Sequence, residues 1–388
     1  MIKITPFDER SNREDILSTY LNLVASVVPF YPEDVFPEGK FRWEGTWHEA
    51  DRFREIAGKR CRNRTEGYTR TLERYGIREE KSVSRQEQID NDALLAKKII
   101  QKYSAALYNF LYQDMDRKKP HVNPQNLYRL LTVPMNRLRQ EEYDLDFVIQ
   151  DPGGELLAHV FRYDTFAAKA EVSTLLDLMG VEVCPYCNRT FITTLKVEKG
   201  SLRSQIDHYK NKSGYPHLAL SILNFVPSCA QCNHLKRDKD LPVLYPYAEE
   251  MGGSWVFATR PRGSVMYLTG APSEKDRFEV VGKRVYQREE EGFEERLGNS
   301  LEIFRLKELY DRGHRDHVLD LFRQRYVFGE DYLQSLCDRF PDLFHDLADV
   351  KNTMYFTDIR RENWGKRPLS KLVHDIDEEI EGLEGGYE

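Results

Sequence analysis

What this 388-residue sequence lacks narrows its class first. It holds six cysteines, too few to staple a disulfide scaffold. Its longest apolar stretch, Leu23 to Tyr31, is broken by Ser26 and Pro29 and falls far short of the ~20 residues of a membrane helix. The opening residues MIKITPFDERSNRED carry no apolar segment behind a basic start, so no secretory leader and no membrane partner are expected, and a cytoplasmic protein is. There is no phosphate loop of the form GxxxxGKS/T: Gly39-Lys40, Gly282-Lys283 and Gly365-Lys366 lack both the following hydroxyl and the earlier glycine, which excludes ATP hydrolysis by that route. Net basic charge is missing too. With 57 Lys/Arg against 64 Asp/Glu the chain stands at −7, which argues against a general nucleic-acid binder.

What is present is an ordinary globular composition, 40% hydrophobic and 12% aromatic, which sets aside disordered and fibrous classes. The length suits two or three domains of roughly 100 to 200 residues. Residues 1–180 read as mainly helical. Ile16, Leu17, Tyr20, Leu21, Val24 and Val27 keep one face apolar, and Leu95, Ile99, Tyr103, Leu107 and Leu111 predict one long amphipathic helix. A third helix is expected over about Thr165 to Met179, stopping at Gly180. The charge-dense stretch from Glu49 to Gln88 reads as a solvated helical face or a secondary nucleic-acid or partner surface. After Asp240, the runs Trp255-Val256-Phe257, Val265-Met266-Tyr267-Leu268 and Phe278-Glu279-Val280-Val281 predict a small antiparallel sheet. Helices return over 296–388, and Asp375 to Glu388, with seven acids and no base, predicts a frayed acidic tail.

The average charge hides one basic window. Between Cys184 and Asp240 nine Lys/Arg face four acids, so this window is +5 and the remainder −12. It opens and closes on two CxxC pairs, Cys184/Cys187 and Cys229/Cys232, the thiolate set of a closed structural Zn2+ site. Cys61 and Cys337 stand alone in helical patterns and are expected as buried packing. Forty-one residues separate Cys187 from Cys229, so the zinc clamps a whole supersecondary unit. Its order reads strand, loop, strand, helix: a strand over Ser204 to Tyr209, then a helix starting near Cys229 that carries Asn233 and Lys236. Asp207 and Asn233 are hard oxygen donors for one Mg2+ or Mn2+ ion that would keep waters and bind a phosphate oxygen. His208, on the other side of the strand, suits a general base at neutral pH, with Asn224 orienting its imidazole. Lys210, Lys212, Lys236 and Arg237 are candidate nucleic-acid contacts. The lone histidines His159, His217, His314 and His317 read as packing or surface residues rather than ligands, and Tyr209 and Tyr215 as strand and loop packing, with stacking on a base as the alternative.

With these residues in place, the stretch from about Val183 to Asp240 resembles the HNH, or His-Me finger, endonucleases, in the branch whose ββα-metal motif is braced by two CxxC knuckles. The resemblance implies His208 as base, Asp207 and Asn233 as ligands of the catalytic ion, and Asn224 as the central Asn; Asn233 stands where His closes the motif in other members. The wording CPYCN, DHY, NFVPSCAQCN and Arg367-Pro368-Leu369-Ser370-Lys371 is similar to HNH subunits of bacterial anti-phage systems such as Septu, which work beside an ATPase.

The expected protein is therefore α+β. A helical region (1–180) precedes a zinc-braced treble-clef or ββα-metal HNH core with a small sheet (181–295), and a helical region with an acidic tail follows (296–388). Its expected activity is metal-dependent hydrolysis of DNA phosphodiesters in phage defence, with an ATPase or sensor partner. One base and one ion make one cut, so a double-strand break needs a homo-oligomer or sequential nicks. Two other readings stay open: a zinc-stabilised nucleic-acid-binding or scaffold module without catalysis, and an HNH nuclease directed at RNA.

Overall fold

The computed structural model describes residues 1–5, 9–57, 66–77, 84–116, 118–196, 201–239 and 241–384; Cys61 and Asp240 lie outside them. Helix α1 (Arg13–Val27) buries Ile16, Tyr20, Val24 and Val27 and ends where Val28 turns extended ahead of Pro29. Helix α2 (Pro32–Val35) starts on a proline, whose missing N–H is no loss in a first turn. A hairpin not expected in this helical region follows, β1 (Lys40–Trp43) against β2 (Thr46–Glu49), turned by Glu44 and Gly45, both at positive φ.

Beyond α3 (Phe53–Ile56) and α4 (Glu66–Arg74), the single helix expected through Leu95 to Leu111 is two, α5 (Arg85–Tyr103) and α6 (Ala105–Leu111). Ser104 makes the break: its backbone is extended, and its hydroxyl accepts the Leu107 N–H at 3.3 Å, capping the second helix. Helices α7 (Pro124–Thr132) and α8 (Gly153–Phe161) lead to a second division. The helix expected over Thr165 to Met179 is α9 (Tyr163–Ala167) and α10 (Glu171–Met179), the latter stopping at Gly180 in the left-handed region.

The middle of the chain carries a two-residue ribbon, β3 (Leu195–Lys196) with β4 (Ser201–Leu202), then the antiparallel pair β5 (Gln205–His208) and β6 (Phe225–Ser228), and α11 (Ala230–Lys236). The expected small sheet is β7 (Trp255–Pro261) with β8 (Phe278–Arg284) alone. Val265 to Leu268 is not its third strand: Met266–Thr269 is a 3-10 turn, and it places Tyr267 on Phe278 at 4.8 Å. Gly282 on β8 is required by packing, since the Trp255 ring occupies the space a Cβ would need.

Helices α12 (Phe293–Ile303), α13 (Leu306–Val327), α14 (Glu330–Arg339), α15 (Leu347–Tyr355) and α16 (Ser370–Glu384) complete the chain. The expected frayed tail is instead helix α16 as far as residue 384, because its acids have partners. Asp375 holds Lys371 at 2.8 Å and the Phe257 N–H at 2.8 Å; Asp377 holds Lys351 at 2.8 Å and the Tyr355 hydroxyl; Glu379 accepts from Thr259 on β7. Cys337 is half-buried on α14 rather than in the core, since that helix buries only Leu333. One apolar cluster runs through all three regions, from Tyr20 and Leu130 through Tyr186 and Phe225 to Tyr310 and Leu372. Among the described residues no helix is long and apolar enough to cross a membrane.

Candidate metal centre and the β5–β6–α11 site

The two knuckles meet as their spacing requires. The first is a tight turn in which Val183 bridges Phe191 and Cys184 N–H donates to Thr190 O at 3.0 Å; in the second, Cys229 caps α11 and its Sγ accepts the Cys232 N–H at 3.4 Å. The ligand atoms of Cys184, Cys187, Cys229 and Cys232 all lie within 4.8 Å of one another, and all four residues are buried. Four converging thiols with no other buried role fit a structural Zn2+. The C-terminal region is fastened to the first knuckle. The Tyr310 hydroxyl donates to Cys187 O at 2.6 Å, and Asn188, at φ 52°, takes the Lys371 N–H on its side chain at 3.1 Å and donates to Trp364 O at 2.8 Å. Residues 364–371, which include the Arg367-Pro368-Leu369-Ser370-Lys371 stretch, thus buttress the cysteine cluster.

Strand, strand and helix follow in the expected order. His208 pairs with Phe225 and Asp207 with Val226 across the two strands, so adjacent side chains leave β5 on opposite faces. On the α11 face Asp207 is almost fully buried. Its carboxylate accepts the Tyr186 hydroxyl at 2.6 Å and lies 3.1 Å from the Lys236 ammonium, which also donates to His208 O at 2.6 Å. Burial pushes the Asp207 pKa up, while the Lys236 charge and the Tyr186 hydrogen bond pull it back. Asn233 does not join it: its Nδ2 donates to Gln205 Oε1 at 2.6 Å. No hydrogen bond joins Asn233 to Asp207 among the described residues. A lysine of the chain itself neutralises the carboxylate, and these residues as arranged do not fit a second metal ion.

On the opposite face His208 packs edge-on against Tyr163 at 4.3 Å and Phe225 at 5.6 Å and is 8% exposed. A carbonyl can only accept, so the 3.0 Å contact with Ala219 O assigns the proton to Nε2 and leaves the lone pair on Nδ1. Burial pushes its pKa down to about 4, helped by the charges of Lys212 and Lys236 and opposed by the Ala219 hydrogen bond, so the ring is neutral at pH 7.

Contrary to the expectation from sequence, the Asn224 amide does not hydrogen-bond the imidazole. Its Oδ1 accepts the Lys210 N–H at 2.7 Å and its Nδ2 donates to Lys210 O at 3.1 Å and Leu218 O at 3.0 Å. It closes the 210–218 loop, which presents Ala219 O to His208, so its hold on the ring passes through backbone.

Three of the candidate cations are otherwise engaged. Lys236 is 1% exposed and works inside the core, so it is not a surface contact for phosphate. Lys210 lies 2.7 Å from Asp146, which Arg139 also holds at 2.6 Å, and Lys212 lies 2.9 Å from Asp164. Arg237 is exposed, and its guanidinium meets His234. The N-terminal region therefore supplies carboxylates and a tyrosine to this site. Sequence reasoning missed Tyr163, Asp146 and Asp164 because nothing local marks them; Tyr186 sits inside the first CxxC pair, where a phenol facing the clamped unit was open to inference. His217, expected as packing, is fully buried with Nε2 on Leu145 O at 3.1 Å and its ring on Phe147.

The chain is thus an α+β protein of helices and small antiparallel sheets, with a tetracysteine cluster compatible with structural zinc. No family model, no curated protein and no solved structure matches it.

Proposed function

We propose that this chain is a zinc-braced HNH-type nuclease that hydrolyses a nucleic-acid phosphodiester. The observation that carries the reading is His208, fixed through Nε2 at the end of β5 within a β5–β6–α11 unit, neutral and with its lone pair on Nδ1. In the proposed step Nδ1 takes a proton from water, the hydroxide oxygen bonds to phosphorus, the phosphorus–oxygen bond to the leaving strand breaks, and the leaving oxygen collects a proton from the imidazolium or solvent. Asn224 serves as a positioning residue by closing the loop that holds the ring. No step runs through an ion at Asp207 and Asn233. The likeness to anti-phage HNH subunits extends the proposal to a defence effector working with an ATPase or sensor.

One observation favours a second reading, a zinc-stabilised nucleic-acid-binding module without hydrolysis: Asp207, which the resemblance makes a metal ligand, is closed by Lys236 and Tyr186. The deciding experiment incubates the zinc-loaded full chain, and its His208→Ala variant, with plasmid, single-stranded DNA and total RNA in buffer containing Mg2+ or Mn2+. Cleavage by the parent that falls at least about a hundredfold in the variant supports the nuclease, in line with the usual contribution of a general base. Binding without cleavage by either protein supports the module, and equal cleavage by both removes His208 as the base.

A further inference from the structure

Side chains from three segments gather around one ring beside His208. Tyr163, at the start of α9, stands edge-on to the imidazole, and the Lys212 ammonium lies 5.0 Å above the centre of the Tyr163 ring. Arg203, two residues ahead of β5, reaches the far end of the same helix, where Nη2 donates to Ala167 O at 2.7 Å, and its charge acts on the Tyr163 phenol. Its other terminal nitrogen, Nη1, is buried and meets no acceptor among the described residues. A guanidinium is a planar fork built to grip an oxyanion, and leaving one buried arm unmet is costly.

The lysines near the ring differ in how firmly they are held. Lys236 is enclosed with Asp207, and Lys210 is gripped by an Asp146 carboxylate that is itself only 9% exposed. Lys212 and Asp164 are 46% and 89% exposed at their side chains, a weak surface pair exchangeable for another anion. Asp164 offers Lys212 what a phosphate would: a charged oxygen at 2.9 Å.

We propose that Arg203 and Lys212, gathered around Tyr163, form a subsite for a backbone phosphate of the nucleic-acid strand beside His208, and that Asp164 occupies Lys212 until that phosphate replaces it. The placement of the strand rests on the nuclease reading of His208, but the subsite is tested by binding rather than cleavage, so the two fail separately. The ligand chemistry is the phosphodiester that DNA and RNA share.

The test measures equilibrium binding of fluorescent single-stranded DNA and RNA oligonucleotides of one sequence across a salt series. All proteins are zinc-loaded full chains in a His208→Ala background that prevents cleavage, and thermal melts confirm that each is folded. Arg203→Gln and Lys212→Gln should each weaken binding about 5- to 20-fold and lower the slope of log affinity against log salt by about 1, the signature of one lost phosphate contact. Asp164→Asn should tighten binding about 2- to 5-fold by freeing Lys212. Lys212 is at the surface, so its variant keeps the test open if Arg203→Gln does not fold. A drop with one oligonucleotide only identifies the polymer. Unchanged affinity and salt slope for Lys212→Gln, or for a folded Arg203→Gln, with both oligonucleotides would overturn the subsite, and weaker binding by Asp164→Asn would overturn the exchange.

Discussion

On one face of β5 Asp207 is closed into a buried network with Tyr186 and Lys236; on the other, one residue on, His208 is buried just as deeply but against aromatic rings and a single carbonyl. The first face keeps two charges out of water and satisfies them inside the chain. The second keeps a titratable ring neutral. A buried ion pair costs desolvation that its attraction only partly offsets, so the Asp207 face ties α11 to the strand through geometry more than through net stability. The His208 face holds a neutral imidazole by aromatic contacts and one hydrogen bond to Ala219 O. The strand thus separates an ion-paired surface from a neutral, aromatic one, and the N-terminal region covers the latter through α9.

Both faces rest on the cysteine clamp, so the largest effect is expected there. Cys229→Ser should lose the metal and unfold the unit, since structural zinc supplies on the order of 10 kcal/mol or more of folding free energy in small domains. Metal analysis and a thermal melt check this; a zinc-free parent that melts like the variant would remove the clamp.

Next, Lys236→Met strands a buried carboxylate and should destabilise the chain by about 3 to 5 kcal/mol, while adding Asp207→Asn should recover most of the loss. Urea midpoints of both variants against the parent measure it, and equal midpoints for the single and double variants would show that the charges are not coupled.

The His208 face answers to pH. Burial holds His208 and His217 near about 4 in the folded chain. A folded pKa below the unfolded value of about 6.5 means that their contribution is complete above that pH and is lost as pH falls toward 4, up to about 3 kcal/mol for each. Unfolding midpoints between pH 7 and 4 should fall, and His217→Gln should flatten the decline; an unchanged decline would mean that His217 is not held neutral.

The smallest effect is expected at Asn233. Its 2.6 Å bond to Gln205 is at the surface, so Asn233→Ala should cost about 0.5 to 1.5 kcal/mol by urea unfolding. If cleavage by that variant nonetheless collapsed while stability barely moved, Asn233 would have a task at the reacting phosphate beyond the bond seen here.

How much of this was legible in the sequence depends on the range of the interaction. The knuckles, the order of β5, β6 and α11, and the start of that helix at Cys229 rest on spacings of a few residues, which local geometry converts directly into structure. Leu95 to Leu111 shows the limit even at short range: the apolar repeat continues through Ser104, and only a hydroxyl turned onto Leu107 N–H divides the helix. Val265 to Leu268 alternates like a strand but has no neighbour to pair with, and a strand without a ladder does not form.

By itself the sequence determined the cysteine cluster, the placement of Asp207 and His208 on opposite faces of one strand, and the helical character of both flanks, because each follows from periodicity and from the ligand preference of thiolates. Only the tertiary structure decided which charges meet. Asp207 finds Lys236 rather than Asn233, Asn224 closes a loop rather than gripping a ring, Lys212 finds Asp164 from 48 residues away, and the acids of α16 find Lys371, Lys351 and Thr259 rather than water. The physical reason is that a side chain's charge is written in the sequence, whereas its partner is set by burial: once packing removes water, a carboxylate must take whichever donor the fold has carried to within about 3 Å.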